Sequence, residues 1–267
     1  MKTPVHIFII NLPRVADRRA MMTRQLSALG LPFEFVEGVD GRALSAAALA
    51  ENYDHDKALR ERNAMTLPEI GCALSHQKIY RKMAAENIPC ALILEDDVKL
   101  ADDLPDVLTE LANRPADGEV VLLGHVPRHL RRGRAPLTVT RALARTHGLC
   151  WGAYAYFLDS VAAARLLADA HPVWVVADHW RKFQERGLVM VSAMTPYCAG
   201  LTELGRASSI GERGVPRRRG LAGWLRRQRQ RYCHAGLPAY LWRTVRWKVA
   251  RLLATVSGNV VTQPRTW

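Results

Sequence analysis

The sequence predicts an α/β fold: an open sheet with helices on its faces, followed by a basic C-terminal appendage. Three observations carry this. Residues 5–10 and 90–94 are continuous apolar runs, the pattern of strands buried on both faces. Segments with apolar residues at helical spacing alternate with such runs, as in βαβ units. Hydrophobic residues make up 49% of the chain, enough for a sizeable core, which excludes wholesale disorder.

Each element has its own signal. Residues 5–10 read as the first strand. Met21, Met22, Leu26 and Leu29 predict a helix over 17–29 that Gly30 stops. A second strand follows at 33–36, completing a βαβ-like opening. Thr66 and Glu69 have the spacing of a capping box, which opens a helix carrying Ile70, Leu74, Ile79 and Met83 to about residue 86. Asn87-Ile-Pro breaks it, and the strand at 90–94 then runs straight into Glu95-Asp96-Asp97. A helix at 104–112, a strand at 120–123, a basic loop at 128–134, a strand at 153–158 and a helix at 161–170 follow. A short apolar segment, 173–176, precedes Asp178, and no internal repeat is present. Open sheets of this kind take ligands at the carboxyl ends of their strands.

The formal net charge is +13, which first suggests a nucleic-acid binder. Its location argues otherwise. Residues 1–205 carry 24 basic and 24 acidic side chains, whereas 206–267 carry 14 basic and one acidic, Glu212. The chain divides into a neutral body, 1–205, and a cationic tail, 206–267. In the tail, 205–220 reads as a linker. Leu221, Trp224, Leu225 and Tyr232 then recur near helical spacing among arginines. Leu241, Trp242, Val245, Val249, Leu252, Leu253 and Val256 form one apolar stripe, with Arg243, Arg246, Lys248 and Arg251 outside it. An apolar stripe, tryptophans and a cationic flank describe a helix lying on an anionic membrane. Packing of the stripe on the body is the competing reading. Nucleic acid is not expected, since no recognition motif accompanies the charge.

No run of about 18 apolar residues occurs, so no spanning helix is expected. The opening apolar stretch is too short for a signal-peptide core. Five scattered cysteines (Cys72, Cys90, Cys150, Cys198, Cys233) without a CxxC pair read as reduced, buried thiols of a cytoplasmic protein, which the tail is expected to hold peripherally at the inner face of the membrane.

The sharpest chemical feature is Glu95-Asp96-Asp97. Three carboxylates after a buried strand repel one another unless a cation neutralises them, and hard oxygen ligands suit Mg²⁺ or Mn²⁺. On an extended segment Glu95 and Asp97 share a face, with Asp96 on the other. A solvated acidic turn is the bland alternative. Arg14 and Arg18, near the end of the first strand, can bind a pyrophosphate or pair with carboxylates. Ser75 and His76 are adjacent on a helix and diverge by about 100°, so they form no nucleophile–base pair by themselves.

The ordered blocks Asn11-Leu with Asp17-Arg18, Val39-Asp40-Gly41, Glu69-Ile-Gly-Cys-Ala-Leu-Ser-His76, Ile93-Leu-Glu-Asp-Asp-Val98, Gly152-Ala-Tyr154, Ala164-Arg-Leu-Leu167 and Val176-Ala-Asp178 resemble glycosyltransferase family 25 over about residues 5–210. The resemblance implies a GT-A-like nucleotide-sugar-binding sheet and a nucleotide-sugar donor, most often UDP-galactose. It also implies Mn²⁺ or Mg²⁺ and inverting transfer to a glycan acceptor of lipopolysaccharide, lipooligosaccharide or a related surface glycan. Carried over by position, Asp97 with Glu95 stands for the metal ligands, and Glu95 or Asp96 for contacts to ribose or donor sugar. Asn11, Arg14 and Arg18 fall on the nucleotide side, and Asp40, Glu69, Ser75 and His76 in blocks of unassigned substrate-side role. The chain departs from the family where Arg14-Val15-Ala16 replaces an arginine pair and where Glu37-Gly38 opens the Val-Asp-Gly block.

Inversion needs a base opposite the leaving group. Asp178 is the candidate; as an alternative it is the N-cap of a helix beginning His179-Trp180-Arg181. The different-class alternative is a non-enzymatic membrane- or polyanion-binding protein in which the acidic triplet is only a turn.

Overall fold

The computed structural model describes residues 5–61, 64–148, 150–203, 249, 252–255 and 258–263. Strand β1 (His6–Asn11) leads into α1 (Ala16–Ala28) and β2 (Glu34–Glu37). A 3₁₀ turn (Gly41–Ala43) and two short helices, α2 (Ala46–Asn52) and α3 (His55–Glu61), precede α4 (Leu67–Ala85). Then come β3 (Cys90–Glu95), β4 (Val98–Leu100), α5 (Leu104–Ala112) and β5 (Glu119–Leu122). Three short strands follow, β6 (Arg128–Leu130), β7 (Ala135–Pro136) and β8 (Ala142–Arg145). β9 (Ala155–Asp159), α6 (Ser160–Ala170), α7 (Trp180–Glu185), β10 (Met190–Thr195), β11 (Ala199–Leu201) and β12 (Val260–Thr262) complete the order.

Eight strands form the central sheet in the order β2-β1-β3-β9-β5-β10-β8-β7. β1 pairs in parallel with β2 and β3, and β5 with β10; β9 and β8 run against their neighbours. The α/β class read from the sequence is therefore present, with a parallel-rich rather than wholly parallel sheet. Alternation along the strands divides the core. Phe8, Ile93, Tyr156 and Leu122 face the side covered by α4 and α6, packing on Ile79, Met83 and Leu166. Ile7, Ile9, Leu92 and Phe157 face the other side, against Met22 and Leu26 of α1 and Val107, Leu108 and Leu111 of α5. A two-residue side-chain period on each strand thus dictates a three-layer sandwich.

The local signals hold where chemistry is short-range. Thr66 Oγ1 accepts the Glu69 N–H while Glu69 Oε2 accepts the Thr66 N–H at 2.8 Å, so the capping box is formed and α4 starts where the sequence says. The expected helix at 104–112 coincides with α5. The region read as a basic loop, 128–134, contains β6, which pairs antiparallel with β12 through His129↔Val261. Neither strand has a sequence signal of its own, because each exists only by pairing with a segment some 130 residues away.

The linker and the amphipathic positions from Leu221 to Val245, with Val256, lie outside the described residues, as do the four tail tryptophans and Cys233. Of the predicted stripe, Val249, Leu252 and Leu253 are described and are exposed. Among the described residues no helix is long and apolar enough to cross a membrane.

Candidate active site

β1 and β3 lie side by side in parallel, with Ile10 opposite Glu95, so both chains deliver polar residues to one end of the sheet. There the chain turns at Asp96-Asp97 before β4. Asn11 closes β1 and donates from Nδ2 to Asp96 Oδ2 at 2.7 Å. Arg18, on the first turn of α1, donates from Nη1 to Asp96 Oδ1 and to Asp97 Oδ2, both at 3.0 Å. Extended geometry ends at Glu95, so the two aspartates do not split between faces as strand alternation predicts. Both swing toward α1, and Arg18 holds them together. Gln25 of α1 fastens the next strand, its amide donating to Val98 O at 2.9 Å and accepting the Leu100 N–H at 3.1 Å.

The carboxylates divide by what they have left to offer. Both oxygens of Asp96 are engaged. Asp97 Oδ1 is buried with no hydrogen-bond partner. Burial, then the neighbouring charges of Glu95 and Asp96, push the Asp97 carboxyl up to about 6 against the opposing pull of Arg18. One guanidinium thus pairs with two carboxylates, one of which keeps a buried oxygen without a partner, while Glu95 lies within ligand distance of Cys72 and His76 instead. Such a set of hard donors with excess negative charge fits a divalent ion of the Mg²⁺ or Mn²⁺ class.

The remaining predicted residues fall into two neighbouring groups. Arg14 pairs with Asp40, an exposed contact, and the Arg42 N–H, aided by Arg14, holds the Asp40 carboxyl below its ordinary value. Asp40 also caps the 3₁₀ turn, and Glu69 is engaged in the α4 capping box. Ser75 accepts the Val39 N–H at 2.8 Å and donates to Gly71 O at 2.7 Å, tying the Val39-Asp40-Gly41 block to α4. His76 takes a different direction, as its position on the helix requires. Its Nδ1 meets Tyr156 Oη at 2.8 Å, and Tyr156 Oη meets Tyr80 Oη at 2.8 Å. Burial raises the phenol of Tyr80, and that of Tyr156 well above the usual range, so both stay protonated as hydrogen-bonding groups. His76 Nε2 lies 3.9 Å from Glu95 Oε1.

Asp178 is not a helix cap. His179 occupies the N-cap of α7 without a side-chain bond, and Asp178 Oδ2 instead accepts the Gly152 N–H at 3.2 Å. Gly152 is also held by Trp180, whose Nε1 donates to its carbonyl at 2.9 Å, and it adopts φ +102°, which favours glycine. Two residues on, Tyr154 O accepts the Glu95 N–H at 2.8 Å. Asp178 is thereby attached to the loop that joins the acidic end of β3. Tyr154, Tyr156 and Trp180 are the partners sequence reasoning did not single out as site residues. The one signal for them was the Gly-Ala-Tyr spacing at 152–154.

A parallel-rich sheet that gathers acidic side chains beyond the carboxyl ends of its strands belongs to the α/β proteins that bind ligands there. A family model described as glycosyltransferase family 25 (LPS biosynthesis protein) matches residues 5–180, and the chain belongs to that family. A glycosyltransferase 25 family member of Aedes aegypti is 40% identical over 105 residues, covering 35% of this chain and 16% of that protein. Procollagen galactosyltransferase 2 of Homo sapiens is 28% identical over 178 residues, covering 62% of this chain and 28% of its own length. The chain spans between about a sixth and a third of the curated relatives it matches. Among solved structures, a glycosyltransferase involved in glycosylation of the major capsid of PBCV-1 aligns with TM-score 0.40 and 10% identity, over 85% of this chain and 98% of that one.

Proposed function

We propose that this chain is a metal-dependent, inverting hexosyltransferase that moves galactose from UDP-galactose to a glycan acceptor. The observation that carries the reading is the Arg18-clasped pair Asp96–Asp97, with Asp97 Oδ1 left without a partner at the carboxyl end of β1 and β3. Galactose as the sugar is supported by the name of the human relative. Lipopolysaccharide, lipooligosaccharide or a related surface glycan as acceptor is supported by the family's description.

In this reading Asp97, with Glu95 as its second carboxylate, would hold Mn²⁺ or Mg²⁺, and the ion would supply Lewis-acid neutralisation of the leaving diphosphate. The protein's own residues do the rest. Arg18 and Asn11 fix the aspartates so that no reorganisation is needed on donor binding. Arg14 and Asp40 border the same end of the sheet on the nucleotide side. Asp178, positioned through Gly152, accepts the acceptor hydroxyl proton. The cationic segment 206–267 brings the protein to an anionic, cytoplasm-facing membrane carrying a lipid-linked acceptor.

The test is a panel of UDP-sugars assayed by thermal shift with and without Mn²⁺, followed by transfer assays. UDP-galactose with Mn²⁺ raises the melting temperature of the full chain by mass action, and Asp97→Ala loses both the shift and turnover. Metal-independent turnover that survives Asp97→Ala overturns the proposal.

A further inference from the structure

A second polar cluster joins Glu95 to Cys72 and His76 of α4, two side chains to which the transfer reading gives no role. Cys72 and His76 are four residues apart on α4, one turn above each other on a single face. Glu95 approaches that face from the end of β3. The Cys72 thiol sulfur, a His76 ring nitrogen and a Glu95 carboxylate oxygen all lie within 4.8 Å of one another. His76 is 1% exposed, and its Nε2 has no hydrogen-bond partner. A ring nitrogen buried without a partner is costly, and here it lies 3.9 Å from Glu95 Oε1, with the Cys72 sulfur in the same cluster.

We propose that Cys72 Sγ, His76 Nε2 and Glu95 Oε form a binding site for a zinc-class divalent ion, centred away from the hard-oxygen position at Asp97 but sharing Glu95 with it. A sulfur, a nitrogen and one carboxylate oxygen are the donors Zn²⁺ prefers and Mg²⁺ does not. Three protein ligands leave a fourth position open to water or an incoming ligand. The supporting shell is already in place. With its proton on Nδ1, His76 donates to Tyr156 Oη, which Tyr80 steadies in turn, and this leaves the Nε2 lone pair facing the other two donors. Zinc-bound nitrogen and oxygen, each about 2.0–2.1 Å from the ion, stand about 3.4 Å apart in a tetrahedron. The observed 3.9 Å closes with a movement of about half an ångström, which half-exposed Glu95 can make. Binding releases the Cys72 thiol proton to solvent as the thiolate–metal bond forms.

The experiment is a titration of the metal-free, full-length protein with Co²⁺, read by absorption and by proton release in weak buffer. One equivalent is expected to give a thiolate-to-cobalt charge-transfer band with tetrahedral visible bands, displaced by Zn²⁺. Cys72→Ser abolishes the charge-transfer band. Asp97→Asn keeps it, so the result stands apart from failure of the transfer reading. His76→Gln weakens Co²⁺ binding at least tenfold. A silent wild type, a charge-transfer band that survives Cys72→Ser, or visible bands without sulfur character overturns the site. Cys72→Ser changes one atom of a half-buried side chain, so it remains decisive should the His76 variant fail to fold.

Discussion

Gly41 and Gly71 meet backbone to backbone. A Cβ on Gly71 would fall 2.4 Å from Val39 O and 2.5 Å from Gly41 N, and one on Gly41 would fall 1.8 Å from Leu67 O. No side chain can move aside to relieve this, because the obstacles are main-chain atoms. Gly71→Ala is therefore expected to destabilise the fold by about 1–3 kcal/mol, read as a lower urea midpoint at unchanged slope. An unchanged midpoint would show that the loop and helix can separate freely.

Arg18 pairs with both Asp96 and Asp97, and its removal takes that positive charge away from two adjacent, largely buried carboxylates. Arg18→Met should cost about 3–5 kcal/mol in metal-free protein, the range for a broken buried pair. The same variant should show a larger thermal stabilisation by Mn²⁺ than the parent, because the ion then supplies all the missing positive charge. Equal Mn²⁺ shifts in parent and variant would place the ion elsewhere.

The raised carboxyl of Asp97 gives a pH dependence of definite sign. Folding favours its protonated form, whose value rises from 3.8 to about 6. That contribution to stability is fully present below about pH 4 and lost as pH rises through about 6. Two units amount to at most about 3 kcal/mol. Asp97→Asn imitates the protonated acid, so in metal-free buffer it should be more stable than the parent at pH 7.5, with the gap closing by pH 4. Urea denaturation at both pH values reads the difference directly, and a gap that does not change with pH removes Asp97 as its source.

Asp178 Oδ2 accepts the Gly152 N–H and the N-cap of α7 is His179, so replacing Asp178 by its amide should spare the helix. Asp178→Asn should lower kcat by at least a hundredfold with the donor-induced thermal shift intact. Near-normal turnover would remove it as the base.

The β6·β12 pair makes a prediction of its own. Bonds from Gln263 N to Pro127 O and from Arg131 N to Asn259 O bracket the His129↔Val261 pair, and antiparallel alternation puts the Val261 N–H in the ladder. Val261→Pro should therefore raise amide exchange across residues 128–132 while leaving β1 and β3 protected. Unaltered exchange there would mean that the pairing does not persist in solution.

What the sequence discloses and what it conceals follow from range. Thr66 and Glu69 are three residues apart, so their reciprocal capping is readable as a pattern. The runs that become β1 and β3 are readable because both faces of each strand are covered. Arg18 and Asp96 are 78 residues apart, and only the parallel pairing of β1 with β3 brings them together. The acidic triplet could be noticed but not resolved. Which oxygens remain available depends on Asn11 and Arg18, and on a turn that ends strand alternation at Glu95. Asp178 is ambiguous in the sequence for the same reason, since Gly152, a partner of its carboxylate, is 26 residues upstream.

The chain leaves and rejoins the body through hydrogen bonds. Thr202 N–H is bonded to Asp97 O at 2.9 Å, so the chain departs beside the acidic turn, and it is fixed again at Asn259 through Arg131 and Arg132. Most of the 14 basic residues beyond Gly205 lie in sequence between those two anchors, so a residue inserted or deleted there changes the length of chain that joins two fixed points of the body. Lengthening such a loop adds little to the entropy of closing it, so that stretch can vary in length at small thermodynamic cost.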